Sequence, residues 1–185
     1  MPRKPVVGVM GASAADALTR SEEQRVGAVA EELGRSLAGK QCILVTGATT
    51  GLPARVANAF RAAGGFAVGI SPAENRSEHL TRYGLPVDGA DLIIYTGFGY
   101  KGRNVINVRS ADVVILVGGA TGTLNEFTIA YDEAKIIGVL EGTGGIADHM
   151  REIIAFCAKP TRGVVLFDNR PDSLLAACLN ALDHS

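Results

Sequence analysis

Seven short, β-branched-rich apolar runs alternate with longer stretches of helical periodicity along the chain. The runs are Pro5–Met10, Cys42–Thr46, Phe66–Ile70, Leu92–Tyr95, Val113–Val117, Ile136–Leu140 and Val164–Phe167. Each is apolar on both faces, as strands of a parallel sheet covered on both sides must be. Between the first two, Val26, Val29, Ala30, Leu33 and Leu37 recur at three- and four-residue spacing. That spacing predicts a helix over Arg20–Ala38 whose Glu22, Glu23, Glu31 and Glu32 form a solvated face. Further helices are predicted at Pro53–Ala63, with Pro53 tolerated in the first turn, and at Asn104–Ser110, Thr123–Ala134, Ala147–Cys157 and Ser173–Leu182. Strand–helix alternation implies right-handed crossovers and an α/β fold. The expected architecture is a Rossmann-like, doubly wound, mostly parallel sheet of about seven strands with helices on both faces.

The 185 residues are expected to form one domain, with no repeat, low-complexity tract or linker. A hydrophobic share of 47% with 20% charged residues reads as an ordinary packed globule. Eighteen basic against nineteen acidic residues leave a net charge of −1, which argues against broad nucleic-acid binding. No run is apolar over the roughly 20 residues a membrane span needs, and the basic start has no apolar stretch for a signal peptide. A soluble, cytoplasmic protein is expected. Cys42, Cys157 and Cys178 show neither disulfide nor zinc spacing, Cys42 reads as a core thiol, and no metal cluster is visible. Ser71–Asp91 is the longest irregular stretch, a candidate lid or oligomer contact, and His79 within it reads as solvated. His149 and His184 read as surface residues.

The chain has 23 glycines, an excess over the usual share of about 7%. They gather in three turns that follow predicted strands: Gly8-Val-Met-Gly11-Ala-Ser13, Thr46-Gly47-Ala-Thr-Thr50-Gly51 and Gly118-Gly119-Ala-Thr121-Gly122-Thr123. In open α/β sheets, ligands bind at the carboxyl ends of the strands. There, Gly lets backbone amides converge on an anion while hydroxyls and a helix N-terminus add donors. Three such turns point to a phosphate-bearing small molecule held by Gly11, Ser13, Gly47, Thr50, Gly51, Gly118, Gly119, Thr121, Gly122 and Thr123. Neither a dinucleotide G-x-G-x-x-G nor a Gly-Lys-Ser/Thr phosphate loop is present, which argues against NAD-dependent hydride transfer and ATP hydrolysis.

Lys101, Arg103 and Arg109 are cations in a stretch, Gly97 to Ala111, without an acid. Arg suits a bidentate grip on phosphate or carboxylate. Six residues apart, Arg103 and Arg109 can face one side of a helix, with Asn104 beside the first. Alternatively they pair with carboxylates of the first helix or sit at a subunit contact. Glu126 is placed in the first turn of its predicted helix, where an acid stabilises the N-terminus or, beside the glycine turn, contacts a ribose or works as an acid/base.

The run Gly118-Gly119-Ala120-Thr121-Gly122-Thr123-Leu124-Asn125-Glu126 resembles the P-G-G-x-G-T-x-x-E motif of the Lonely Guy (LOG) family, once taken for lysine decarboxylases. The match extends upstream: Arg103 stands nine residues before Asp112, and Gly118 six after it. The resemblance implies Arg103 and Glu126 as a catalytic pair and Gly119, Thr121, Gly122 and Thr123 as a phosphate loop. It also implies release of free base and ribose 5-phosphate from nucleoside 5′-monophosphates. Three positions depart from the family: Gly118 for Pro, Ala120 for Gly and Asn104 for Lys. The G-R-N-x-x-x-V-R-S-A-D form is closer to the branch resembling molybdenum cofactor carriers, related to DprA/Smf proteins, which binds without turnover.

The reading that follows is a binding or carrier protein for a phosphorylated heterocycle, either molybdenum cofactor or a nucleotide. The alternative is a phosphoribohydrolase. No cofactor is required in either case. A single-stranded-DNA module is disfavoured by the 5% aromatics and the absence of Trp. Lysine decarboxylation is disfavoured because no lysine has the context of a pyridoxal phosphate site. The resemblance further implies a homodimer or homotetramer through the helices carrying Val105, Ile106, Val108, Ile129 and Ala130, residues that fit sheet packing equally well.

Overall fold

A computed structural model of the chain describes residues 3–13 and 20–184. Its elements are β1 (Val6–Gly11), α1 (Arg20–Ala38), β2 (Ile43–Thr46), α2 (Leu52–Ala62), β3 (Phe66–Ser71), α3 (Arg76–Thr81), β4 (Leu92–Tyr95) and α4 (Gly99–Ser110). They continue with β5 (Val113–Val117), α5 (Thr121–Asp132), β6 (Ile136–Leu140), α6 (Gly145–Asp148), α7 (Met150–Cys157), β7 (Val164–Asp168) and α8 (Pro171–Asp183). The strands form one seven-stranded sheet in the order β4-β3-β2-β1-β5-β6-β7, and every pairing is parallel. This is the Rossmann-like α/β architecture expected from the alternation of elements.

Strand alternation divides the core into two layers. Val7, Val9, Leu44, Val113, Ile115 and Val117 point to the face covered by α1, α2 and α8, where Val26, Leu33, Leu37, Val56, Phe60 and Leu174 meet them. Met10, Val114, Leu116, Ile137 and Val139 point to the other face, against Val108 of α4, Phe127 and Ala130 of α5, and Met150. Val108 and Ala130, offered as interface residues, are thus core residues; Val105, Ile106 and Ile129 are half-buried. Cys42 is buried as expected, and desolvation pushes its thiol up to about 11.

Several boundaries differ from the sequence reading. α4 begins at Gly99, five residues before the expected Asn104, because Gly99 and Gly102 disguise its first turn with poor helix formers. α5 begins at Thr121, so Glu126 lies beyond the first turn and is not explained by the helix N-terminus. The helix expected over Ala147–Cys157 is broken at His149, whose ψ of 2° separates α6 from α7.

The stretch 71–91 is more ordered than its Pro and Gly content suggests. Asn75 caps α3 by accepting from the Glu78 amide at 3.0 Å. His79, expected in solvent, is fully buried. Its Nδ1 lies 2.8 Å from Ser71 Oγ and its Nε2 2.9 Å from the Pro86 carbonyl, so the ring ties the end of β3 to the loop before β4. Arg61 of α2 holds the same loop through the Asp88 carbonyl and through Asp91 Oδ1 at 3.0 Å.

Candidate functional site

β1 has β2 on one side and β5 on the other, so the turns leaving β1 and β5 diverge and open a crevice at the carboxyl edge of the sheet. A cleft of about 1180 Å³ occupies this place. Its wall includes Gly11, Ser13, Gly47, Thr50, Gly51, Arg103, Asn104, Gly119, Thr121, Gly122, Thr123 and Glu126. The structure therefore brings together the sequence-predicted residues except one. Gly118 lies behind the wall, and its amide donates to Thr143 Oγ1 at 2.8 Å.

Close packing of the turns explains their composition. Gly119, at φ 95°, lies so near Thr123 that a Cβ there would overlap the threonine side chain. A Cβ on Gly47 would overlap the guanidinium of Arg103, so glycine there lets the arginine lie flat on the β2–α2 turn. Thr50 Oγ1 donates to the Ser13 carbonyl, joining the first two turns. The N-cap residues of α2 and α5, Gly51 and Ala120, offer no side chain to cap their helices. The first amides of α5, at Thr121, Gly122 and Thr123, are donors at the positive end of that helix.

A fourth turn was missed by the sequence reading: Gly142-Thr143-Gly144-Gly145 after β6, in which all three glycines have positive φ. Thr143 and Gly145 line the cleft. Thr143 Oγ1 donates to Leu140 O at 2.6 Å while accepting from Gly118, and this locks the third turn to the fourth. The signal was available, since a Gly-Thr-Gly-Gly run follows an apolar strand.

Beneath the turns lies a buried polar cluster. The side chains of Arg103 and Glu126 are each 7% exposed, with Arg103 Nη1 3.3 Å from Glu126 Oε1. Asn107, absent from the sequence reading, donates to the same oxygen at 3.5 Å and to Met10 Sδ at 3.7 Å. With its amide turned to suit its neighbours, Asn104 donates to Glu126 Oε1 at 3.2 Å and to the Tyr100 carbonyl at 2.9 Å. Burial raises the pKa of Glu126, opposed by Arg103, by the Asn107 hydrogen bond and by Lys101. Burial likewise lowers that of Arg103, opposed by Glu126. Arg103 Nε and Asn107 Oδ1 have no partner within the described residues.

Arg103 and Arg109 do not share a face. Arg103 goes under the cleft, whereas Arg109 is exposed at the other end of α4 and pairs with Glu133 at 2.8 Å. Their partners are thus Glu126 within α5 and Glu133 just after it, whereas Glu23 and Glu31 of α1 face Arg55. Among the described residues no group of His, Cys, Asp or Glu is arranged to hold a metal ion.

Fold and cleft together define a doubly wound α/β protein with a ligand-type crevice at its topological switch point. The chain belongs to the SLOG cluster4 family, whose model matches residues 4–175. An uncharacterised protein of Archaeoglobus fulgidus is 35% identical over 135 residues, which are 73% of this chain and 79% of the relative. The crystal structure of TM1055 superposes with a TM-score of 0.81 at 26% identity, covering 95% of this chain and 99% of the other. The molybdenum cofactor (Moco) carrier protein of Chlamydomonas reinhardtii superposes with a TM-score of 0.77 at 28% identity, covering 99% and 100%.

Proposed function

We propose that the protein binds and carries a phosphorylated heterocycle in this cleft, with molybdenum cofactor as the cargo. The observation that carries the reading is the gathering of four glycine turns and the uncapped N-terminus of α5 around one cleft of about 1180 Å³. A pterin phosphate fits both its size and its donors. In this reading the amides of Gly119–Thr123 hold the phosphate, joined by Gly11, Ser13, Gly47, Thr50 and Gly51. Arg103, Asn104 and Glu126 form the floor, while Gly118 acts through Thr143. The likeness to the algal carrier supports the choice of cargo. The cytoplasmic location and a homodimer or homotetramer belong to the same proposal, and light scattering on the eluted protein measures the latter.

A second reading, phosphoribohydrolase activity, is favoured by the upward-shifted carboxyl of Glu126 at the cleft floor. There Glu126 would transfer the proton and Arg103 would steady the departing base. One experiment separates the two. Purified protein is incubated with molybdenum cofactor and desalted, and molybdenum and oxidised pterin are measured per chain. In parallel, nucleoside 5′-monophosphates are incubated and chromatographed for free base. Retained cofactor with no base release is the expected result. Loss of cofactor on desalting overturns the carrier reading. Base release that vanishes in Glu126→Gln establishes the enzyme instead.

A further inference from the structure

We propose that the cleft reads its ligand at two ends, Lys101 meeting the phosphate and Asp88 accepting from a heterocycle edge with two adjacent N–H donors. That edge is the 2-amino-4-oxopyrimidine shared by guanine and pterins. The inference rests on the binding reading above and narrows it to a ligand class.

Among the described residues three cations line the cleft: Arg55, Lys101 and Arg103. Arg55 is shared by Glu23 at 3.8 Å and Glu31 at 3.5 Å. Arg103 is buried against Glu126. Lys101 is exposed and has no ion-pair partner among the described residues. It stands in the first turn of α4, on the cleft wall and two residues before Arg103, whose pair with Glu126 at 3.3 Å joins α4 to α5. This places it on the side of the cleft where α5 begins. A phosphate at the amides of α5 therefore finds its mobile countercharge in Lys101, while the buried arginine stays with its carboxylate.

The acids of the cleft differ in the same way. Glu126 faces Arg103 and Glu23 faces Arg55, but Asp88 makes no side-chain hydrogen bond or ion pair within the described residues. An unpaired carboxylate weakens a site built only for anions, so its position calls for a donor on the ligand. The loop is held ready to present it: Arg61 binds the Asp88 carbonyl and Asp91, His79 binds Pro86, and Asp91 Oδ2 accepts from the Ala67 amide at 2.8 Å. An ionised carboxylate only accepts, through two oxygens. It matches the ring N–H (N1 in guanine, N3 in a pterin) and the adjacent 2-amino group in a bidentate pair. Adenine offers one donor beside a lone pair, which the second oxygen repels. Tyr100, 46% exposed on the cleft wall and braced edge-on by Tyr83 at 5.3 Å, supplies a ring face for the heterocycle.

Titration calorimetry of the full chain at fixed salt with GMP, AMP and guanosine tests both ends. GMP is expected to bind roughly tenfold to a hundredfold more tightly than AMP. Asp88→Asn, which presents a donor beside an acceptor, is expected to erase that preference and favour AMP. Lys101→Ala is expected to weaken GMP and AMP alike and bring GMP to the level of guanosine. Both residues are exposed, so neither variant threatens folding. Equal binding of GMP and AMP, a preference that survives Asp88→Asn, or binding of neither nucleotide overturns the Asp88 assignment. Unchanged GMP affinity in Lys101→Ala overturns the phosphate assignment. Cofactor retention without a GMP preference leaves the carrier reading standing alone, and a GMP preference without cofactor retention leaves the recognition standing alone.

Discussion

Glu126 sits under the cleft with its carboxyl shifted upward by burial, and the sign of that shift fixes a pH dependence. A carboxyl that holds its proton more tightly when folded contributes most below the ordinary glutamate range, near 4.5. That contribution is lost as pH rises through the folded value. Glu126→Gln keeps the neutral shape, so denaturant melts should show the variant gaining on the parent as pH climbs from 4 to 8. Parallel curves would mean the charged form is as well housed as the neutral one. Gly47→Ala acts on the other partner, because its methyl would overlap the Arg103 guanidinium. It should cost about 1–3 kcal/mol in the same melts. Much of this cluster was legible as residue types, since Arg103, Asn104 and Glu126 stood out. Their pairing was not, because α4 and α5 are joined only in space. Asn107 gave no signal at all, being one more polar residue in a helix.

The strands were plain from their apolar runs, whereas elements rich in glycine were not. Gly99 and Gly102 hid the start of α4, and the turn Gly142–Gly145 was passed over although its pattern was present. His79 was beyond sequence reasoning, since its partners Ser71 and Pro86 lie across a folded loop. His79→Leu should take the imidazole from the buried Ser71 hydroxyl, which keeps the Ala73 amide at 3.1 Å, and from the half-buried Pro86 carbonyl, and destabilise the chain by about 1–3 kcal/mol. Hydrogen exchange should quicken at the Leu85 amide, which is bonded to the His79 carbonyl at 3.0 Å. Unchanged exchange there would mean Arg61 alone anchors the loop. In the fourth turn, Thr143→Val removes the acceptor for Gly118 and the donor to Leu140. A loss of about 1–3 kcal/mol is expected, together with weaker ligand binding.

Across the whole molecule, no helix of the described residues is long and apolar enough to cross a membrane. A ligand that binds only the folded state stabilises it by about 2.7 kcal/mol at a hundred times its Kd. For a chain of this size that corresponds to a rise in Tm of roughly 5–10 °C, readable by scanning calorimetry with GMP. The cleft walls come from both halves of the sheet: turns after β1 and β2 on one side, turns after β5 and β6 on the other. Translation makes these parts in order. A growing chain has no complete cleft until Gly145 has left the ribosome and the later strands have docked beside β1. A whole cleft is thus reserved for molecules whose synthesis has passed that point, and a truncated product ending before β6 lacks its far wall.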